Sequence, residues 1–149
     1  MGLVDGGGSY SFRGRWVVEA PRAQVHAVLV DLEHYPEWWP QVLAVAKVTD
    51  DDARVLCRSA LPYTLDLMLH AVRRDLDVLE TSLAGDLHGS VRWRLTEQDG
   101  STRLDFEQDV DVGSRWLRLA SVVVRPLLRW NHDRMMVGCL DGLRARLAA

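Results

Sequence analysis

A chain of 149 residues with 48% hydrophobic and 26% charged content suits one globular unit built on one core. Its net charge of −3 is not that of a nucleic-acid-binding domain, and no apolar run approaches the roughly 20 residues needed to span a bilayer. The charge is unevenly spread: residues 114–149 hold seven Arg against Asp133 and Asp141, so an acidic body precedes a basic last segment. The expected use of this asymmetry is packing of the segment against the body; a surface for anionic lipid or an acidic partner is the competing use.

The opening "MGLVDGGGSY" has neither a basic n-region nor an apolar h-region. It reads as a mobile lead-in over 1–9, ahead of one domain over 10–149. Cys57 and Cys139 stand outside any metal-ligand spacing and read as reduced, buried thiols, which points to the cytoplasm.

In "SYSFRGRWVVEA", Tyr10, Phe12, Trp16 and Val18 share one face, the alternation of a half-buried strand. Pro21 suits the first position of a helix, and Val25, Val28, Leu29 and Leu32 follow at helical spacing, with His26 off the stripe and in solvent. Pro36 restarts the chain as a second short helix holding Trp38 and Trp39, and Pro40 lies near its end. "VLAVAKV" and "RVLCRSAL" form a hairpin with charge at its tip. "YTLDLMLHAVRRD" sets Leu65, Leu67, Leu69 and Ala71 on one face, and "LDVLETSLAGDLHG" ends in a glycine-bounded turn or bulge.

"SVRWRLTEQDGSTRLDFEQDVDV" is a hairpin turning at "QDGS". Val91, Trp93 and Leu95 face inward on one strand, and Leu104, Phe106, Gln108, Val110 and Val112 on the other. Asp105, Glu107, Asp109 and Asp111 form an outward acidic ladder that Arg92 and Arg94 can pair with; solvated carboxylates of this kind are not metal ligands. From Gly113 or Ser114 to Ala149 the pattern is helical with one interruption at Pro126. Strands followed by one long helix argue for an α+β fold in which that helix covers the sheet's apolar face.

This element order resembles the helix-grip fold of the START-like (SRPBCC) superfamily over nearly the whole chain. "VVEAPRAQVHAVLVDLEHYPEWWP" is similar to the opening of polyketide cyclase/dehydrase-type members, and "LPYTL", "AGDLHGSVRWRL" and "RPLLRWNHDRMMVGCLDGL" resemble one bacterial subfamily of that group. The resemblance implies a curved antiparallel sheet of six or seven strands around the C-terminal helix, with two short helices after the first strand and a cavity between sheet and long helix. Superfamily members bind lipids, sterols, polyketides or other apolar molecules, and some catalyse cyclisation or dehydration. No catalytic motif is common to them, so none carries over.

Stepping 100° per residue along the last helix puts Leu128, His132, Met135, Met136, Cys139 and Leu143 on one stripe with His132 at its centre. His132 is the candidate catalytic residue: it would orient a ligand carbonyl or hydroxyl, or act as general acid/base if its pKa lies near neutral. The bland alternative is a satisfied core histidine. Tyr63, Leu67, Trp93 and Phe106 join the stripe as candidate lining residues. Of Trp38 and Trp39, which diverge by about 100° on a helix, one anchors the core and the other leans over the cavity mouth. HExxH, GxSxG, GxGxxG and P-loop patterns are absent, and no cofactor or metal is expected.

Binding or carrying of an apolar small molecule is the leading expectation. A cyclase or dehydratase using His132 comes second. A peripheral membrane or interaction module, using Trp116, Trp130 and the basic segment, comes third.

Overall fold

The computed structural model describes residues 9–58, 64–112 and 115–148, and their side chains except at 9 and 112–128. The lead-in expected over 1–9 thus lies outside the described residues except for Ser9. The elements are β1 (Ser9–Val18), α1 (Arg22–Val30), a 3-10 helix (Leu32–Glu37), β2 (Val42–Lys47), β3 (Asp52–Arg58), β4 (Thr64–Arg74), β5 (Val78–Gly85), β6 (Leu87–Gln98), β7 (Ser101–Val112) and α2 (Arg115–Ala148). The seven strands form one antiparallel sheet in the order β1-β7-β6-β5-β4-β3-β2, and the fold is α+β as the sequence implies.

Local chemistry sets the register. Gln98 pairs with Ser101 across Asp99 and Gly100, whose φ angles of 49° and 86° make a two-residue turn that matches strand twist. Register shifts between Val42 and Ala44 and between Ala71 and Arg73 insert bulges in β2 and β4, which bend those strands and curve the sheet. Leu95 and Leu104 of the concave face and Leu143 of α2 are fully buried. Beside them Thr102, also fully buried, donates its hydroxyl hydrogen bond to the Ala20 carbonyl at 2.8 Å.

Two helix boundaries differ from the expectation. The second short helix starts at Leu32 rather than Pro36, which lies inside it. A 3-10 turn tolerates proline there because only one weak turn bond is forfeited. Helix α2 runs through Pro126 without a break; proline removes one backbone bond, and the turns on either side continue the helix.

Glycines seat α2. A Cβ at Gly142 would collide with the Trp38 carbonyl oxygen, and one at Gly138 with the Gln41 side-chain amide. The segment following the 3-10 helix therefore lies directly against the helix backbone. Gly to Ala in a helix ordinarily stabilises by about 1 kcal/mol. Gly142→Ala is expected to do the reverse, lowering unfolding free energy in urea by about 1–3 kcal/mol through overpacking.

Candidate functional site

A cavity of about 600 Å³ lies between the concave face and α2. Leu67, Trp93 and Phe106 line it from the sheet, and His132, Met135 and Met136 from the helix. Among the described residues, charged side chains enter the lining only from the stretches Asp31–Glu33, Lys47–Asp52 and Arg73–Arg74. Lys47, Asp50, Arg73 and Arg74 are exposed, so these stretches form a rim. The rim is tied together: Arg74 donates to Asp51 at 2.7 Å, and Lys47 lies 3.7 Å from Glu33.

The two tryptophans divide as one anchor and one wall. Trp38 is 6% exposed, packs in the core and does not line the cavity. Trp39 lines it and donates its indole N–H to the Met135 carbonyl at 3.0 Å. The expected divergence of their rings is not found: they stack with centroids 5.9 Å apart. The reason is local, because the 3-10 helix ends at Glu37 and Trp38 is its C-cap, with φ −130° and ψ −15°. Tyr35 packs edge-on against Trp38 at 4.8 Å and gives its hydroxyl hydrogen to the Leu29 carbonyl.

Cys139 is fully buried in the core, one turn beyond the last helix residue lining the cavity, and does not line it. Burial pushes its thiol pKa up. Cys57 does line the cavity, and burial raises its thiol to about 11; neither thiol is activated as a nucleophile. Tyr63 and the side chains of Leu128 and Trp116 lie outside the described residues.

His132 borders the cavity. Its ring stacks on Phe12 with centroids 3.8 Å apart, and Nε2 lies 3.0 Å from Oε1 of Gln108. Desolvation, helped by the positive charge of Arg129, lowers its pKa to about 4. The ring is therefore neutral at pH 7. Gln108 and the buried Asn131 also line the cavity, as do Tyr10 and Phe12. None of these four was a candidate from sequence. For Gln108 the signal was present, as an amide at an inward position between Phe106 and Val110.

The acidic ladder works outside the sheet. Asp105 pairs with Arg15 at 2.6 Å and Arg103 at 3.1 Å, and Asp109 with Arg13 at 3.3 Å. Arg92 bonds chiefly to Glu80 at 2.9 Å, with Glu107 farther at 3.8 Å. His26 is also engaged, with Nε2 at 3.0 Å from the Arg74 carbonyl. On the outer side of α2, Trp130 is 48% exposed with the Arg134 guanidinium 5.6 Å from its ring centre. Among the described residues no helix is long and apolar enough to cross a membrane.

A family model described as polyketide cyclase/dehydrase and lipid transport matches residues 18–136. The chain belongs to that family. Solved structures place it in the START-like fold. A Thermus thermophilus protein is similar at 16% identity and a TM-score of 0.81, with 93% of this chain and 97% of that one covered. A START superfamily protein from Mycobacterium smegmatis is similar at 16% identity and 0.76, with the same coverage. The Zhui aromatase/cyclase from a Streptomyces species is similar at 17% and 0.78, with 94% of each chain covered. At such identities the likeness concerns the fold. No curated protein matches the sequence.

The depressed His132 pKa has a consequence for stability. Between pH 6.5 and 4 the unfolded chain binds a proton at this position that the folded chain refuses. The contribution is full above pH 6.5 and is lost as the pH falls toward 4. Urea titrations of the native protein and His132→Phe are expected to show the native protein losing about 2 kcal/mol more than the variant between pH 6.5 and pH 5.

Proposed function

We propose that the protein binds or carries an uncharged, largely apolar small molecule in the space between the sheet and α2. The observation that carries this reading is the cavity of about 600 Å³, a volume suited to a small organic ligand and walled mainly by aliphatic and aromatic side chains. Membership of a family described by cyclase, dehydrase and lipid transport activities supports it. Burial of apolar ligand surface at about 25 cal/mol per Å² supplies the driving force, and Met135 and Met136 give the wall an adaptable shape. A cytoplasmic location belongs to the same proposal, supported by two free, buried cysteines.

A cyclase or dehydratase using His132 as acid/base is the second reading, favoured by the likeness to the Zhui aromatase/cyclase. A pKa near 4 weighs against it. At neutral pH the ring has no imidazolium proton to give, and as a base it is far weaker than one tuned near the working pH.

Native mass spectrometry of the purified protein is expected to show a bound organic species that solvent extraction removes. With Trp39 and Trp93 both at the cavity wall, Trp39→Phe should reduce the fluorescence change on ligand addition to the part that comes from Trp93, and Trp38→Phe should leave it largely intact. Equal responses from both variants would contradict the cavity assignment of Trp39.

Trp130 with Arg134 supports a third, peripheral-membrane reading. Against it, basic residues near the helix end are engaged within the fold: Arg146 pairs with Glu37 at 2.9 Å, and Arg144 donates to the Val17 carbonyl at 3.2 Å. The protein is therefore expected to stay in the supernatant when anionic vesicles are sedimented at low salt, and pelleting would reverse the preference.

A further inference from the structure

The outer face of α2 is used by neither the core nor the cavity. Along residues 129–148, the part of this helix whose side chains are described, Trp130 and Val137 are the large hydrophobics that stay exposed, at 48% and 60%. They stand seven residues apart and so fall within roughly 20° of one line around the helix. Arg134 and Asp141, both exposed, lie on the same stripe. The positions 130, 134, 137 and 141 alternate steps of four and three, the spacing of a seam between two packed helices. The charges on this stripe lack opposite partners. Arg134 has no carboxylate partner among the described residues, and its guanidinium rests over the Trp130 ring. Asp141 has no cation partner among them either. About 10 Å of helical rise separates the two, too far for them to pair with each other.

A second copy of the same stripe, laid antiparallel, supplies both partners. With a two-fold axis beside Val137, Arg134 of each copy faces Asp141 of the other, which makes two reciprocal ion pairs from one surface. The two Val137 side chains meet near the axis. Each Trp130 then covers the other copy's Ala145, an exposed residue small enough to leave room for an indole. A parallel arrangement would set Arg134 against Arg134 and Asp141 against Asp141, which repels. An anionic membrane fits less well, because Asp141 on the stripe and the exposed Asp133 beside it would be carried into a negative surface.

We propose that this stripe of α2 is a self-association surface on which two copies of the chain pair antiparallel through Trp130, Arg134, Val137 and Asp141. One helix face covers less than the about 800 Å² per partner of a standard interface, so the dimer is weak, with a Kd on the order of 10 µM. Sedimentation velocity from about tenfold below to about tenfold above that Kd is expected to show monomer passing into dimer. Arg134→Asp and Asp141→Arg should each stay monomeric, because each sets like charges together at both contacts. Mixing these two variants should restore a dimer of unlike chains, within about threefold of the native Kd, since every contact is then of opposite sign. Trp130→Ala should weaken the native dimer at least about tenfold. All three positions are exposed, and circular dichroism checks that the variants fold. A native protein that remains monomeric across the range overturns the proposal, whether or not it pellets with anionic vesicles. A dimer that persists in both charge variants places the contact elsewhere and overturns it equally, as does a mixture of the two folded variants that fails to pair.

Discussion

The close seating of α2 on the segment after the 3-10 helix is the constraint from which the site follows. Gly138 and Gly142 remove side chains where the helix meets Gln41 and the Trp38 carbonyl. Cys139 and Leu143 are fully buried beside them. No residue of α2 beyond Met136 lines the cavity. The helix is thus pressed into the core along its C-terminal half and borders a void around 131–136. A curved sheet covered by one long helix is not filled evenly from end to end here, and the glycines favour the end at which the helix is seated most closely.

The polar groups in that void are arranged economically. His132 is held neutral by burial, stacked on Phe12 and bonded to Gln108. A charged imidazole there would need a carboxylate partner, and the lining carboxylates are all on the rim. At this position the wall is therefore polar without being charged. On the outer face of the sheet the reverse holds: ion pairs such as Arg15–Asp105 are partly exposed and add little stability singly, but they keep that face solvated.

Much of the fold was legible because its determinants are local. The turn residues Asp99 and Gly100 fixed the last hairpin, period-two alternation placed Trp93 and Phe106 inward, and helical spacing put His132 on the buried stripe. The division between Trp38 and Trp39 was foreseen in kind but not in geometry, because the end of a 3-10 turn depends on a backbone angle at Trp38. Cys139 and His132 share a stripe, yet only His132 meets the void; that difference arises from how closely the helix approaches the sheet at each level. Gln108 was visible as an inward amide, but its importance depends on a partner 24 residues away. Gly138 and Gly142 stand four apart in a helix that gains nothing locally from them, which in retrospect marks a close backbone approach.

The bulge in β2 has an effect beyond curvature. With β1 at the other end, β2 is an edge of the sheet. It presents six residues, its register breaks at Leu43, and it ends in Lys47. An extended chain approaching that edge finds no continuous ladder to copy. The irregularity that helps wrap the sheet around its contents also makes this border a poor template for strand-by-strand growth, so retaining an open-edged sheet does not commit the protein to self-association there.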